Sequence, residues 1–214
     1  MAPGERIDLV AALQMFNRKE RFFLVGRALG NPAFEPSAEF RRELGAVLNV
    51  DVPAQCFCAM DYHLDWLFGA LHMSANGVPS APLSRNDGEV QGNIEDVDLM
   101  LAFTTATTHH VVLLEAKAES SWTNEQMRSK AARLRAIFGD DGARWPGVRP
   151  SVVLMSPSRP GRLDTRAWPA WMAPDGQFRW LRLALPEGLH KLTRCDAQGR
   201  DDERGTHWRV DRTR

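Results

Sequence analysis

Two apolar stretches of strand type carry charges that a buried strand does not tolerate without compensation. The first, IEDVDLMLAF, contains Asp98, and the second, VVLLEAKA, contains Glu115 and Lys117. Side chains alternate between the two faces of a strand, so Glu115 and Lys117 share a face. A hairpin joining the stretches would bring all three charged residues to one end of a sheet. Two carboxylates beside an ammonium form a site for a hard divalent cation with a positioned positive charge.

The same alternation makes a prediction for the interior of the first stretch. Asp96 and Asp98 are two residues apart and are therefore expected on one face. The opposite face is then apolar and consists of Val97, Leu99 and Leu101.

Asp98 is followed by sixteen residues and then by Glu115-Ala-Lys117, which closes an apolar strand. This pattern resembles the PD-(D/E)XK nuclease superfamily. Val97 stands where the family pattern has a proline. The resemblance covers roughly Asp61 to Met155, and its motif is short. Its context is an Asp-containing strand upstream, an apolar strand before the motif and a basic amphipathic helix after it.

The resemblance implies a restriction-endonuclease-like α/β fold: an αβββαβ core whose mixed central sheet is flanked by helices. The chain is expected to add N-terminal helices and a C-terminal β-hairpin. We predict a single domain over residues 1–214. It comprises an N-terminal helical elaboration (1–60), a nuclease-like core (61–156) and a C-terminal strand and hairpin extension (157–214).

Hydrophobic periodicity and capping residues predict the individual elements. Helices are expected within 7–29 and at 61–74. Two more are expected after N-caps: one from Ser37 through Leu48, and one from Thr123 or Asn124 through Phe138. Residues 50–60 are expected to be a connector. Strands are expected around 88–92, at 94–103, 111–118, 150–156 and 179–186, with a two-stranded hairpin in the tail. The strand, helix and strand between 111 and 156 imply a parallel crossover.

The resemblance also implies roles for individual residues. Asp98, Glu115 and the carbonyl of Ala116 would bind Mg²⁺, with Mn²⁺ as a substitute, and Lys117 would position or activate the attacking water. Family members often supply another acid from the helix before the sheet, and Asp65 is the candidate; otherwise it is a solvated helix residue. Gln126 resembles a residue that approaches the site from the following helix.

Basic residues of that helix and of the tail are candidates for contacting nucleic acid. Lys130 and Arg133 lie on one edge of the helix and Arg128 on the other; the alternative is a solvated basic face. Trp208 lies among arginines in the tail and could stack on a base, unless the tail is an edge hairpin or an oligomer contact. Residues 1–100 carry 8 Lys and Arg against 14 Asp and Glu, whereas residues 101–214 carry 19 against 13.

Other classes of function lack their sequence signals. No Walker, G-x-G-x-x-G or G-x-S-x-G stretch occurs, and the three cysteines contain no C-x-x-C pair. No signal peptide or apolar stretch of membrane-spanning length is found, so we expect a cytoplasmic protein without a membrane partner. The expected partner is nucleic acid, with DNA favoured because this fold serves DNA defence and repair most often. Homodimers are common in the family, and the sequence leaves dimerisation open.

Three hypotheses remain at this stage. The first is a metal-dependent nuclease, and it is favoured because Asp, Glu and Lys are all present. The second is a catalytically silent module of the same fold that binds nucleic acid or a protein. In the third, Glu-Ala-Lys is a coincidence in an ordinary α/β domain.

Overall fold

A computed structural model describes residues 5–30, 34–79, 85–92, 95–118 and 120–212. The helices are α1 (Leu9–Met15), α2 (Glu20–Ala28), α3 (Ala38–Leu48), α4 (Leu64–Asn76) and α5 (Asn124–Phe138). The strands are β1 (Phe57–His63), β2 (Asp96–Thr105), β3 (Thr108–Ala116), β4 (Val148–Ser156), β5 (Arg179–Arg182), β6 (His190–Cys195) and β7 (His207–Arg212).

The first five strands form one mixed sheet in the order β1-β2-β3-β4-β5. The β1–β2 and β2–β3 pairs are antiparallel, and the β3–β4 and β4–β5 pairs are parallel. Helix α5 provides the crossover between β3 and β4, as parallel strands require. The end of β3 and the start of α5 therefore lie at the same edge of the sheet.

Helices cover both faces of this sheet. Residues of α1, α4 and α5 pack with one face in the larger hydrophobic core, and α3 covers the other face through a smaller core around Leu44. Tyr62 is fully buried, and its hydroxyl donates to the carbonyl of Leu13 at 3.0 Å, which ties α1 to β1. The protein is a mixed α/β structure with helices on both sides of a five-stranded sheet.

Several sequence predictions are confirmed. β2 and β3 form the expected hairpin, with Ala106 and Thr107 as the turn between paired Thr105 and Thr108. Ser37 caps α3, and Thr123 caps α5 through a complete capping box with Gln126. β4 and β5 are present, and the tail forms the predicted hairpin from β6 and β7.

The order of elements before the hairpin was predicted wrongly. Residues 57–63 were assigned to a connector and the start of a helix, but they form β1, and α4 begins only at Leu64. The strand expected around 88–92 does not form; this segment consists of bends and coil. The sheet therefore takes its first strand from before α4 rather than after it.

The alternation predicted for β2 breaks at Asp98. Val97 packs in the larger core, whereas Leu99 and Leu101 pack in the smaller one on the other side of the sheet. The opposing strand breaks at the same level, where Asp61 has a φ of 49°, which a non-glycine residue adopts only with strain. At this level, the alternation of side chains between the two cores is therefore interrupted in both strands.

Within the described ranges, β6 and β7 form a two-stranded ribbon that is separate from the five-stranded sheet. None of the helices in the described part of the chain has the length and apolar character needed to cross a membrane.

Candidate active site at the end of the hairpin

Three acidic residues occupy the same level of the sheet, one on each of β1, β2 and β3. In the β1–β2 register, Asp61 falls opposite Asp98 between the paired residues on either side. In the β2–β3 register, Asp98 and Glu115 come one residue beyond the last paired residues, Leu99 and Leu114. Burial raises the pKa of the carboxyls of Asp61 and Glu115, and the negative charge of Asp98 adds to the rise in each.

Asp98 ends the hydrogen-bond ladder between β2 and β3. Its Oδ2 accepts the backbone N–H of Ala116 at 2.6 Å, so a side chain occupies the place of a ladder carbonyl. The next N–H, from Lys117, donates to Met155 on β4. N–H groups along a strand alternate between its neighbours, and the backbone of Ala116 therefore faces Asp98.

Glu115 brings its carboxylate into the layer between β3 and α5. Only 14% of its side chain is exposed, and burial raises its pKa to about 7. The ammonium of Lys130 lies 3.0 Å from Oε1 and opposes this shift, as Lys117 does more weakly. This contact is a close ion pair without good hydrogen-bond direction, since Oε1 is buried and has no directed donor among the described residues.

Lys117 lies just past the end of β3 and lines an open cleft of about 650 Å³. Within the described ranges its ammonium makes no ion pair, which leaves it able to meet an anion. The other lining residues come from β3, α5 and the segments preceding β2 and α5: Glu95, Glu115, Trp122, Thr123, Glu125, Gln126, Met127, Ser129 and Lys130.

Asp98 does not line that cleft. It borders a smaller apolar cleft of about 380 Å³ on the α3 side of the sheet, together with Phe40, Met60 and Leu99. The expected trio is therefore brought to one level of the hairpin, but Glu115 and Lys117 face α5 while Asp98 sits between the strands on the other side. Ala116 links the two sides of the sheet. Its N–H donates to Asp98, and its neighbours Glu115 and Lys117 line the cleft beside α5.

Asp65 and Arg133 are placed together, away from the cleft. Their side chains form an ion pair in which Arg133 is 2% and Asp65 12% exposed. Asp65 also accepts the backbone N–H groups of Gln91 at 3.2 Å and Gly92 at 2.8 Å, and Arg133 donates to the carbonyl of Glu89. This network joins α4, α5 and residues 89–92, which gives both residues a structural task.

The remaining candidates lie in three different settings. Gln126 lines the cleft, but its Oε1 accepts the N–H of Thr123 at 3.2 Å in the capping box. Lys130 is 15% exposed and is the counter-ion of Glu115, so it does not form a solvated basic edge. Arg133 is buried and cannot reach a phosphate, which corrects its predicted nucleic-acid contact. Arg128 is exposed on α5, and Trp208 is 67% exposed on the separate ribbon.

Sequence reasoning missed two partners of the site. Glu95 lines the cleft, with its Oε1 3.8 Å from the ammonium of Lys130, and the carbonyl of Asp96 accepts from that ammonium at 2.5 Å. Lys19, next to α2, forms an ion pair with the carboxylate of Asp96. Glu95 directly precedes the strand that contains Asp98, so its place in the sequence could have indicated its role. The contact of Lys19 spans 77 residues, and no local sequence pattern indicates it.

The residues present fit a divalent cation bound by few protein ligands. Glu115 offers a buried oxygen without a directed hydrogen bond, and Oδ1 of Asp98 has no bonding partner among the described residues. No group of three or more His, Cys, Asp or Glu in the described ranges converges on a metal position. Mg²⁺ usually takes one or two carboxylates and several waters, and it is compatible with such a sparse set.

Comparison of the chain with protein-family models, curated proteins and solved structures finds no match.

We expect Glu115 to make folding stability depend on pH. Its pKa is raised in the folded state, so the folded protein favours the protonated acid, and stability falls as pH rises from about 4.5 to about 7. A shift of this size corresponds to at most about 3 kcal/mol. Glu115→Gln should therefore gain stability relative to wild type across this range, measured by urea unfolding in EDTA.

Glu125→Gln is the matched control, because Glu125 lines the same cleft but is exposed. Its stability relative to wild type should not change with pH. If the difference in stability between Glu115→Gln and wild type does not change with pH, Glu115 is not held in a desolvated position.

The Asp65–Arg133 pair is expected to stabilise the fold. Arg133→Met leaves a largely buried carboxylate without its counter-ion and should lower the free energy of unfolding by about 3 kcal/mol. Adding Asp65→Asn should cost much less than the sum of the single effects, as coupled residues do. Arg128→Met, on the exposed side of the same helix, should change stability by less than about 0.5 kcal/mol. Strict additivity of the two buried substitutions would contradict the pairing.

Proposed function

We propose that the protein is a metal-dependent nuclease that hydrolyses phosphodiester bonds, with DNA as the expected substrate. The observation that carries the proposal is the end of the β2–β3 hairpin. There, Asp98 is held against Ala116 by a hydrogen bond of 2.6 Å, one strand away from Glu115, and Lys117 follows on an open cleft. The proposal includes the restriction-endonuclease-like fold, with β1 to β4, α4 and α5 as its core.

Asp98, Glu115 and the carbonyl of Ala116 would hold Mg²⁺ or Mn²⁺. A bound divalent cation neutralises phosphate charge, orients the phosphodiester and lowers the pKa of its water. Glu115 must be ionised to serve as a ligand, and its pKa of about 7 makes this complete only above neutral pH. Asp98 is kept in place by the Ala116 N–H, so its carboxylate does not depend on substrate for its position.

Lys117 is the residue assigned to the reacting atoms. Its ammonium is not committed to a carboxylate of the described chain, and it follows Glu115 by two residues on the same side of the strand. From there it would orient the attacking water and stabilise the negative charge that develops on the phosphate. Lys130 would compensate Glu115 when no cation is bound.

A second candidate function is a catalytically silent module that binds nucleic acid or a protein partner. The close pairing of Lys130 with Glu115 favours it, because an ammonium at 3.0 Å already neutralises the carboxylate that a metal would need. Asp98 and Glu115 also border different clefts. In the first function a cation displaces Lys130, whereas in the second the ion pair is permanent.

The nuclease proposal predicts metal-dependent cleavage that requires Lys117. Single- and double-stranded DNA and RNA are incubated with protein in Mg²⁺, Mn²⁺ or EDTA. Cleavage should occur only with metal and fall by about a hundredfold or more in Lys117→Ala, as when one charge-stabilising donor is removed from an active site. Lys191→Ala, which removes an exposed lysine of the ribbon, should cleave like wild type.

Two results would contradict the proposal. Equal cleavage by Lys117→Ala and wild type would place the activity elsewhere or in a contaminant. No cleavage of any substrate, together with binding of nucleic acid, would favour the silent module.

A further inference from the structure

The ribbon of β6 and β7 has one face that nothing in the described chain covers. Directly opposed residues of an antiparallel pair lie on the same face, and the register pairs His190 with Arg212, Leu192 with Val210 and Arg194 with Trp208. These six residues form what we call the Trp208 face. All six are exposed: Trp208 by 67%, Leu192 by 68% and Val210 by 56%.

The charges of the ribbon are divided between its two faces. The Trp208 face carries two arginines and a histidine and no carboxylate. On the opposite face, Asp211 accepts from Thr193 at 2.5 Å and pairs with Arg209 at 2.8 Å, and Arg209 also pairs with Asp201 at 2.7 Å. The acidic side chains of the ribbon are therefore engaged away from the Trp208 face.

The connection between the strands is folded by two further carboxylates. Asp196 accepts the backbone N–H groups of Gln198 and Arg200, and Asp202 accepts that of Arg204. The ribbon is thus held by polar contacts on one side and at its tip. Leu192, Trp208 and Val210 all remain more than half exposed.

An exposed indole between cationic side chains matches one ligand chemistry well. An unpaired base stacks on an aromatic ring whatever its identity, and guanidinium groups neutralise the phosphates on either side of it. Arg194 keeps N–H groups for such a contact, because only its Nε is bonded within the ribbon, to the carbonyl of Gly205 at 2.6 Å. Paired bases are already stacked and offer no free face to Trp208.

We propose that the Trp208 face binds single-stranded nucleic acid, with a base stacked on Trp208 and a phosphate at Arg194. The strand held there is the substrate of the proposed nuclease, so the identity of the ligand rests on the proposed function. The absence of any carboxylate from the face favours a polyanion over a second copy of this chain, whose net charge is zero.

The test measures binding without cleavage. Fluorescein-labelled oligothymidylate and a labelled duplex are titrated with protein in EDTA, and fluorescence anisotropy is followed at several salt concentrations. The proteins are wild type, Trp208→Ala, Trp208→Phe, Arg194→Gln and Lys191→Ala. Lys191 neighbours Leu192 but projects from the opposite face, so its replacement removes a charge without touching the Trp208 face. Sedimentation of each variant reports self-association.

We expect wild type to bind the single strand more tightly than the duplex. Trp208→Ala should weaken binding of the single strand by about tenfold or more, and Trp208→Phe should restore much of it, because a ring is kept. Arg194→Gln should reduce the slope of log affinity against log salt by about 0.7, whereas Lys191→Ala should leave affinity unchanged.

Three results would overturn the inference. The first is binding by Trp208→Ala as tight as binding by wild type, and the second is no binding of the single strand by wild type. The third is an effect of Trp208→Ala on sedimentation alone, which would assign the face to self-association. Cleavage assays on the same proteins separate the two proposals. Lys117-dependent cleavage without Trp208-dependent binding defeats only this inference, and Trp208-dependent binding without any cleavage defeats only the nuclease.

Discussion

Glu115 carries a carboxylate into the layer between β3 and α5, where only 14% of its side chain reaches solvent. Such a charge must be compensated, and α5 provides Lys130 at 3.0 Å for this purpose. The compensation depends on where α5 begins, which the capping box of Thr123 and Gln126 sets directly after the strand. The crossover to β4 then holds α5 along the sheet, and the cleft is the space left between its first turns and Lys117.

Much of this arrangement could be predicted from local sequence. Apolar stretches of strand length flanking a short turn predicted the hairpin, and Ser37 and Thr123 marked two helix starts because capping is a local interaction. The strand register followed from those predictions, and it brings Asp98 and Glu115 to the same level. The catalytic and metal-binding roles of these residues remain predictions.

Other features depend on contacts that no local pattern encodes. β1 was taken for a connector because its inward face changes at Asp61, where a positive φ breaks the alternation on which strand prediction relies. The same break moves Val97 to the opposite core from Leu99. Arg133 has the spacing of a solvated helix edge, yet it is buried because Asp65, 68 residues earlier, supplies its counter-charge. The segment 88–92 is fixed by that pair and needs no strand pairing.

The Glu115–Lys130 pair also defines what separates an enzyme from a silent module on this scaffold. If a divalent cation takes the place of the ammonium, Asp98 and Glu115 act as one ligand set despite lying toward different clefts. If the ion pair persists, Glu115 is a structural carboxylate and the cleft offers the ammonium of Lys117 to a ligand. The distinction is thermodynamic, because cation binding must exceed both the ion pair and the cost of ionising Glu115.

A Mn²⁺ titration followed by electron paramagnetic resonance, at a pH above the pKa of Glu115, examines this point most directly. We expect one Mn²⁺ per chain, with affinity reduced by more than about tenfold in both Asp98→Asn and Glu115→Gln and unchanged in Glu125→Gln. Wild-type Mn²⁺ affinity in either of the first two variants would contradict a shared cation at the end of the hairpin.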